Sequence, residues 1–114
     1  MAQMINLGNE LIRINTEKNT IEYSLNQGRT WYVRCTSSSY GCFCDLLVYG
    51  KELLACTSKG VYYSVNGGRT WFARCASSSY GDFIQLYFDG KNLMATTSKG
   101  VYYSTNEGRT WLKR

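Results

Sequence analysis

An eight-residue segment recurs three times in this chain at a fixed interval. It reads SLNQGRTW from Ser24 to Trp31, SVNGGRTW from Ser64 to Trp71 and STNEGRTW from Ser104 to Trp111, so that Trp31, Trp71 and Trp111 stand 40 residues apart. The flanks repeat as well. TSKGVYYS occupies Thr57 to Ser64 and again Thr97 to Ser104, and SSSYG occupies Ser37 to Gly41 and again Ser77 to Gly81. A period of this size is one supersecondary unit, too small to bury its own apolar faces, so stability must come from stacking units against one another.

Within each repeat, four short runs rich in β-branched and aromatic residues alternate with turn chemistry. The second copy predicts strands at 43–49, 53–57, 61–64 and 70–75, separated by Gly50-Lys51, Ser58-Lys59-Gly60 and Asn66-Gly67-Gly68. Four antiparallel strands per repeat make a β-propeller blade, and the expected fold is all-β, with blades at about 1–39, 40–79 and 80–114. In the repeated segment, Gly28, Gly68 and Gly108 are expected at positive φ. Asn26, Asn66 and Asn106 suit the turn because an amide side chain can bond the local backbone. The serines can bond across the turn, and each tryptophan offers apolar area between blades together with an N–H that needs a partner.

These segments resemble the Asp-box, or bacterial neuraminidase repeat, whose pattern is S-x-D-x-G-x-T-W. The residues that carry the resemblance are Ser24, Gly28, Thr30 and Trp31, then Ser64, Gly68, Thr70 and Trp71, then Ser104, Gly108, Thr110 and Trp111. The departure is at the Asp position, where Asn26, Asn66 and Asn106 stand. The resemblance implies that the box lies on the hairpin between the third and fourth strands of each blade, away from the ligand face, in a structural role.

Closed propellers typically need four to eight blades. Three blades leave two blade faces without a neighbour, which makes an interaction surface by default. Two chains meeting head to tail would close a six-bladed ring, so a homodimer is the expectation. A fragment of a longer propeller is the alternative.

The sequence contains no histidine and no proline. Without histidine the commonest acid–base group and the commonest metal ligand are missing, and no Ser/His or Cys/His nucleophile can be assembled. Asp-box propellers include sialidases, but their arginine cluster and tyrosine–carboxylate pair find no residue-by-residue counterpart. Arg29, Arg69 and Arg109 lie inside the box. The reading is non-catalytic, with no cofactor and no metal. Cys42 and Cys44 have a C-x-C spacing that would point them the same way on a strand, while Cys35 and Cys75 hold equivalent places. Free thiols suit this set of five cysteines better than a metal site. The odd count, and a start without a basic, apolar leader, suggest a reducing, cytoplasmic setting with no membrane span.

The formal charge is +5. Such a balance favours anionic partners, although no basic run points to a nucleic acid polymer. On the face opposite the boxes, the connections between blades gather Ser38, Ser39 and Tyr40 with Ser78, Ser79 and Tyr80. The second loop of each blade adds Lys18, Lys59 and Lys99, and the first strands add Gln3, Asp45 and Gln85 in matching register. Ammonium groups, hydroxyls and aromatic rings together suit a small phosphorylated, nucleotide-like ligand that would be sensed or sequestered. A lectin-like glycan-binding module and a protein-interaction scaffold without a small ligand are the other readings.

Overall fold

The structure is a computed structural model, described here for residues 4–15, 17–36, 40–76 and 78–114. Among the described residues, twelve strands form three antiparallel four-stranded sheets, each in sequence order. The first sheet holds β1 (Met4–Leu7), β2 (Glu10–Asn15), β3 (Thr20–Ser24) and β4 (Tyr32–Cys35). The second holds β5 (Phe43–Tyr49), β6 (Glu52–Thr57), β7 (Gly60–Ser64) and β8 (Phe72–Cys75). The third holds β9 (Phe83–Phe88), β10 (Leu93–Thr97), β11 (Gly100–Ser104) and β12 (Leu112–Lys113). One strand per alternating run, joined by tight turns, gives the meander of a propeller blade.

The sequence places the strands of the second blade well. The first matches end to end, and the next two start one residue earlier than expected, at Glu52 and Gly60. The fourth starts at Phe72 instead of residue 70, because the preceding N–H groups are taken. The Thr70 N–H is bound by Asn66 Oδ1 at 3.0 Å, and the Trp71 N–H by the Tyr40 hydroxyl at 3.4 Å. Neither N–H is left for the ladder with β7.

The core lies between the blades. Because side chains alternate across a strand, β6 sends Leu53 and Ala55 to one side and Leu54 and Cys56 to the other. On the first side, Leu53, Ala55, Phe43, Leu46, Tyr62 and Trp71 meet Ile12, Ile14, Ile21 and Cys35 of the first blade. On the second side, Leu54, Cys56, Val61 and Cys75 meet Phe83, Leu86, Leu93, Ala95, Tyr102 and Trp111 of the third blade. The two interfaces are thus copies of each other, both head to tail. Trp71 and Trp111 are each 3% exposed. Their rings meet Phe43 at 5.5 Å and Phe83 at 5.6 Å in tilted pairs, contacts worth about 0.5–1.5 kcal/mol beyond simple burial.

Gly60 opens β7 with φ at +131°, and a Cβ there would overlap the Cys75 carbonyl oxygen. A side chain is excluded both by the backbone conformation and by the neighbouring strand. Gly60→Ala should lower stability by about 3 kcal/mol or more. Gly50→Ala, in a turn with φ at +62° where a Cβ meets nothing within 4 Å, should cost only about 1–2 kcal/mol. Urea unfolding of the two variants side by side checks the difference.

Candidate functional site

The repeated segments sit between the third and fourth strands of each blade and share one hydrogen-bond scheme. In the first copy, Ser24 Oγ accepts the N–H of Asn26 at 3.3 Å and of Gly28 at 2.8 Å, and donates to Asn26 Oδ1 at 2.9 Å. Asn26 Oδ1 also accepts the Thr30 N–H at 2.8 Å, while Nδ2 donates to Thr30 Oγ1 at 3.1 Å. The second and third copies repeat every one of these bonds. Asparagine therefore does the accepting work of an aspartate and adds a donor for the threonine hydroxyl. Gly28, Gly68 and Gly108 lie at φ near +94°, +93° and +92°. Gln27 and Glu107 precede two of these glycines and also adopt positive φ, which their side chains gave no reason to expect. Trp71 donates its indole N–H to the Gly68 carbonyl at 3.0 Å, whereas the buried Trp111 N–H has no acceptor among the described residues.

On the opposite face, polar groups join strands and blades, among them Tyr40, Tyr80 and Asp45, which were foreseen as ligand contacts. Ser58 Oγ accepts the Cys42 N–H at 2.9 Å, and Ser98 Oγ accepts the Asp82 N–H at 3.0 Å, which ties each second loop to the entry of its own blade. Asn19 takes the interblade role in the first blade, donating to the Gly41 carbonyl and accepting the Phe43 N–H. Tyr40 is half-buried, with its ring edge-on to Tyr62 at 5.5 Å, and Tyr80 stands the same way to Tyr102 at 5.4 Å. Their hydroxyls accept the backbone N–H groups of Trp71 and Trp111. Asp45 is fully buried and accepts the Leu86 N–H of the next blade at 3.0 Å. Gln85 holds the equivalent register position on β9 and is half-buried.

Lys18, Lys59 and Lys99 are exposed, one on each blade. Lys99 Nζ donates to the Ser79 carbonyl at 3.3 Å. Gln3, Ser37, Ser38 and Ser39 lie outside the described residues. Ser78 opens a short 3-10 turn, Ser78–Tyr80. Between the second and third blades this face carries a groove of about 380 Å³ whose lining includes Ser58, Lys59, Tyr62 and Asp82, a mixture of both charges with an aromatic wall.

The cysteines are arranged differently from the spacing argument. Cys42 is exposed just before β5, while Cys44 is half-buried at a bulge in that strand. The bulge breaks the alternation that would have aimed both the same way. Cys44 Sγ lies 2.9 Å from the buried Cys56 Sγ, a thiol pushed up by its hydrogen bond with Cys44 and by burial. Cys35 and Cys75 are buried at equivalent places, as the repeat suggested.

An arginine outside the boxes was missed. Arg34 donates to both carboxylate oxygens of Glu10 at 2.8 and 2.7 Å, lies over the Tyr23 ring at 3.9 Å, and reaches the Gly67 carbonyl of the next blade at 3.2 Å. Arg74 repeats this with Glu52 at 2.6 and 2.7 Å, Tyr63 at 4.1 Å and the Glu107 carbonyl at 3.2 Å. Each guanidinium is a staple between one blade and the box turn of the following one. The signal was present in the sequence, since Arg34, Arg74 and Arg114 each stand three residues after a box tryptophan.

Residues 62–73 match the family model of the BNR/Asp-box repeat. No curated protein matches the chain. Among solved structures, "YCF48 bound to D1 peptide" superposes with a TM-score of 0.71 at 15% identity, over 97% of this chain and 40% of that one. "YCF48 from Cyanidioschyzon merolae" gives a TM-score of 0.68 at 20% identity, over 93% of this chain and 38% of that one. The chain thus spans about two fifths of the length of these structures, and the likeness shows a shared propeller fold.

Hydrogen bonds from Arg34 and Arg74 hold the carboxyls of Glu10 and Glu52 below their ordinary value of 4.5. Groups whose pKa is lowered on folding stabilise fully above the unfolded value, and that contribution fades as pH falls through the folded one. The urea midpoint should therefore drop as the solution is acidified below pH 4.5. Glu52→Gln should lower the midpoint at neutral pH and flatten this acid dependence.

Proposed function

For a chain built of BNR/Asp-box propeller blades, we propose a non-catalytic module that works by binding another polypeptide. The observation that carries this reading is the state of the two outermost blade faces. On the first blade, Met4 is 56% exposed, although the equivalent Leu46 and Leu86 are almost fully buried. On the third blade, Tyr87 and Val101 border a groove of about 600 Å³. Apolar blade faces of this kind are covered by polypeptide in the two interfaces within the chain. The similar solved structure named as bound to a D1 peptide supports the same class of partner. Five free thiols fit a reducing, cytoplasmic setting for this module.

A second reading is favoured by the groove beside Lys59, which would hold a small anionic or hydroxyl-rich ligand. Against it stands the engagement of Tyr40 and Tyr80 with the tryptophan backbone of their own blades, and of Asp45 with the next blade. Thermal-shift measurements separate the two. Peptides selected from a random display library should raise the melting temperature, while a panel of nucleotides and sugars leaves it unchanged. A nucleotide-induced rise that disappears in Lys59→Ala would replace the polypeptide reading with the anionic-ligand one.

A further inference from the structure

The two interfaces inside the chain are built from the same parts. The preceding blade supplies an arginine, and the following blade supplies a tryptophan and the box carbonyl that the arginine binds. Arg34 and Trp71 complete the first interface, with the Gly67 carbonyl as acceptor. Arg74 and Trp111 complete the second, with the Glu107 carbonyl as acceptor. One arginine and one tryptophan are left over, and they stand at opposite ends of the molecule.

At the trailing end, Arg114 occupies the place of Arg34 and Arg74 but not their environment. The side chains of Arg34 and Arg74 are each 4% exposed, whereas that of Arg114 is 57% exposed. It reaches Asp89 Oδ2 at 3.3 Å in place of a bidentate glutamate and lies on the Met94 sulfur. Beside it runs the 600 Å³ groove, walled by Tyr87, Met94 and Val101 at positions that in the other blades pack against the next blade.

At the leading end, Trp31 is not buried, in contrast to Trp71 and Trp111. A Cβ at Gly68 or Gly108 would touch the preceding blade, at Ile21 or Arg74; at Gly28 it would meet only Trp31 and Leu11 of its own blade. The Gln27 backbone has φ at +65°, close to the +75° of Gly67 and the +68° of Glu107, so this turn adopts the shape that presents its carbonyl to an arginine.

We propose that a second copy of this chain joins the two halves: its Arg114 donates to the Gln27 carbonyl, and Trp31 is buried against the groove of its third blade. The occupant is a second copy because the required surface is the one this chain already makes twice. Two copies related by a twofold axis satisfy both ends of both chains. The joint is more polar than those within the chain. Arg13 and Glu22 replace the equivalents of Ala55 and Tyr62, pair at 2.8 Å, and set the Arg13 guanidinium 4.1 Å over the Trp31 ring. That ring is partly shielded by Arg13 until a partner arrives.

This proposal rests on the reading of the chain as a polypeptide-binding module, yet it can fail separately. Light scattering on the full chain at micromolar concentration should give twice the 13.0 kDa chain mass. Trp31→Ala and Arg114→Ala should each shift the protein to the single-chain mass with an unchanged circular dichroism spectrum, since neither side chain is buried. A wild-type monomer, or a dimer indifferent to both substitutions, would overturn the proposal. A dimer that binds no peptide would leave the second copy in place and remove only the functional reading.

Discussion

A guanidinium between two blades is the interaction on which the rest of this structure depends. Arg34 and Arg74 each satisfy three demands at once: a carboxylate at the start of their own blade's second strand, an aromatic ring on its third, and a backbone carbonyl on the following blade. The planar fork of arginine can meet this set of acceptors, whereas a lysine ammonium offers no second parallel bond. Because each side chain is nearly buried, the geometry is fixed and fixes the blades in turn. The carbonyl must be presented at the correct place, so the box turn is held rigid by its serine and asparagine. The tryptophan next to that turn then falls into the interface the arginine has closed.

This arrangement explains the division of labour between the two faces. The boxes carry little exposed chemistry apart from their arginines, since their side chains are committed to the turn. The opposite loops carry the serines, tyrosines and lysines, yet many of these are committed too. Tyr40 and Tyr80 bind the backbone of the tryptophans within their own blades, and Asp45 anchors the first strand of the third blade to the second. A small domain with thin sheets has few buried positions to offer, so polar side chains with repeated spacing are drawn into joining repeats.

Much of the fold was legible in the sequence because the repeat is regular. The 40-residue spacing, the β-prone runs such as Phe43–Tyr49 and the turn residues located the blades and most strand ends. The box scheme followed from its serine, asparagine and glycine. Harder to foresee was the late start of β8, because it depends on Tyr40, 31 residues away, capturing the Trp71 N–H. The positive φ of Gln27 and Glu107 also carried no signal, since neither side chain favours that conformation. Of the candidate site, the position of the loops was readable and the engagement of their side chains was not. Tyr40 looks the same in sequence whether its ring faces a ligand or Tyr62. The arginine staple was visible only as three residues in phase, and its meaning came from the partners that the fold brings to it.

The central claim is that one interface, split between the two ends of the chain, is completed by a second copy. A crystal structure of the assembled protein tests it most directly at one side chain. The account predicts Arg114 within hydrogen-bond distance of the Gln27 carbonyl of another copy, with its exposure reduced from 57% toward the 4% of Arg34 and Arg74. An Arg114 that stays open to solvent, bound to Asp89 alone while Trp31 remains uncovered, would contradict it.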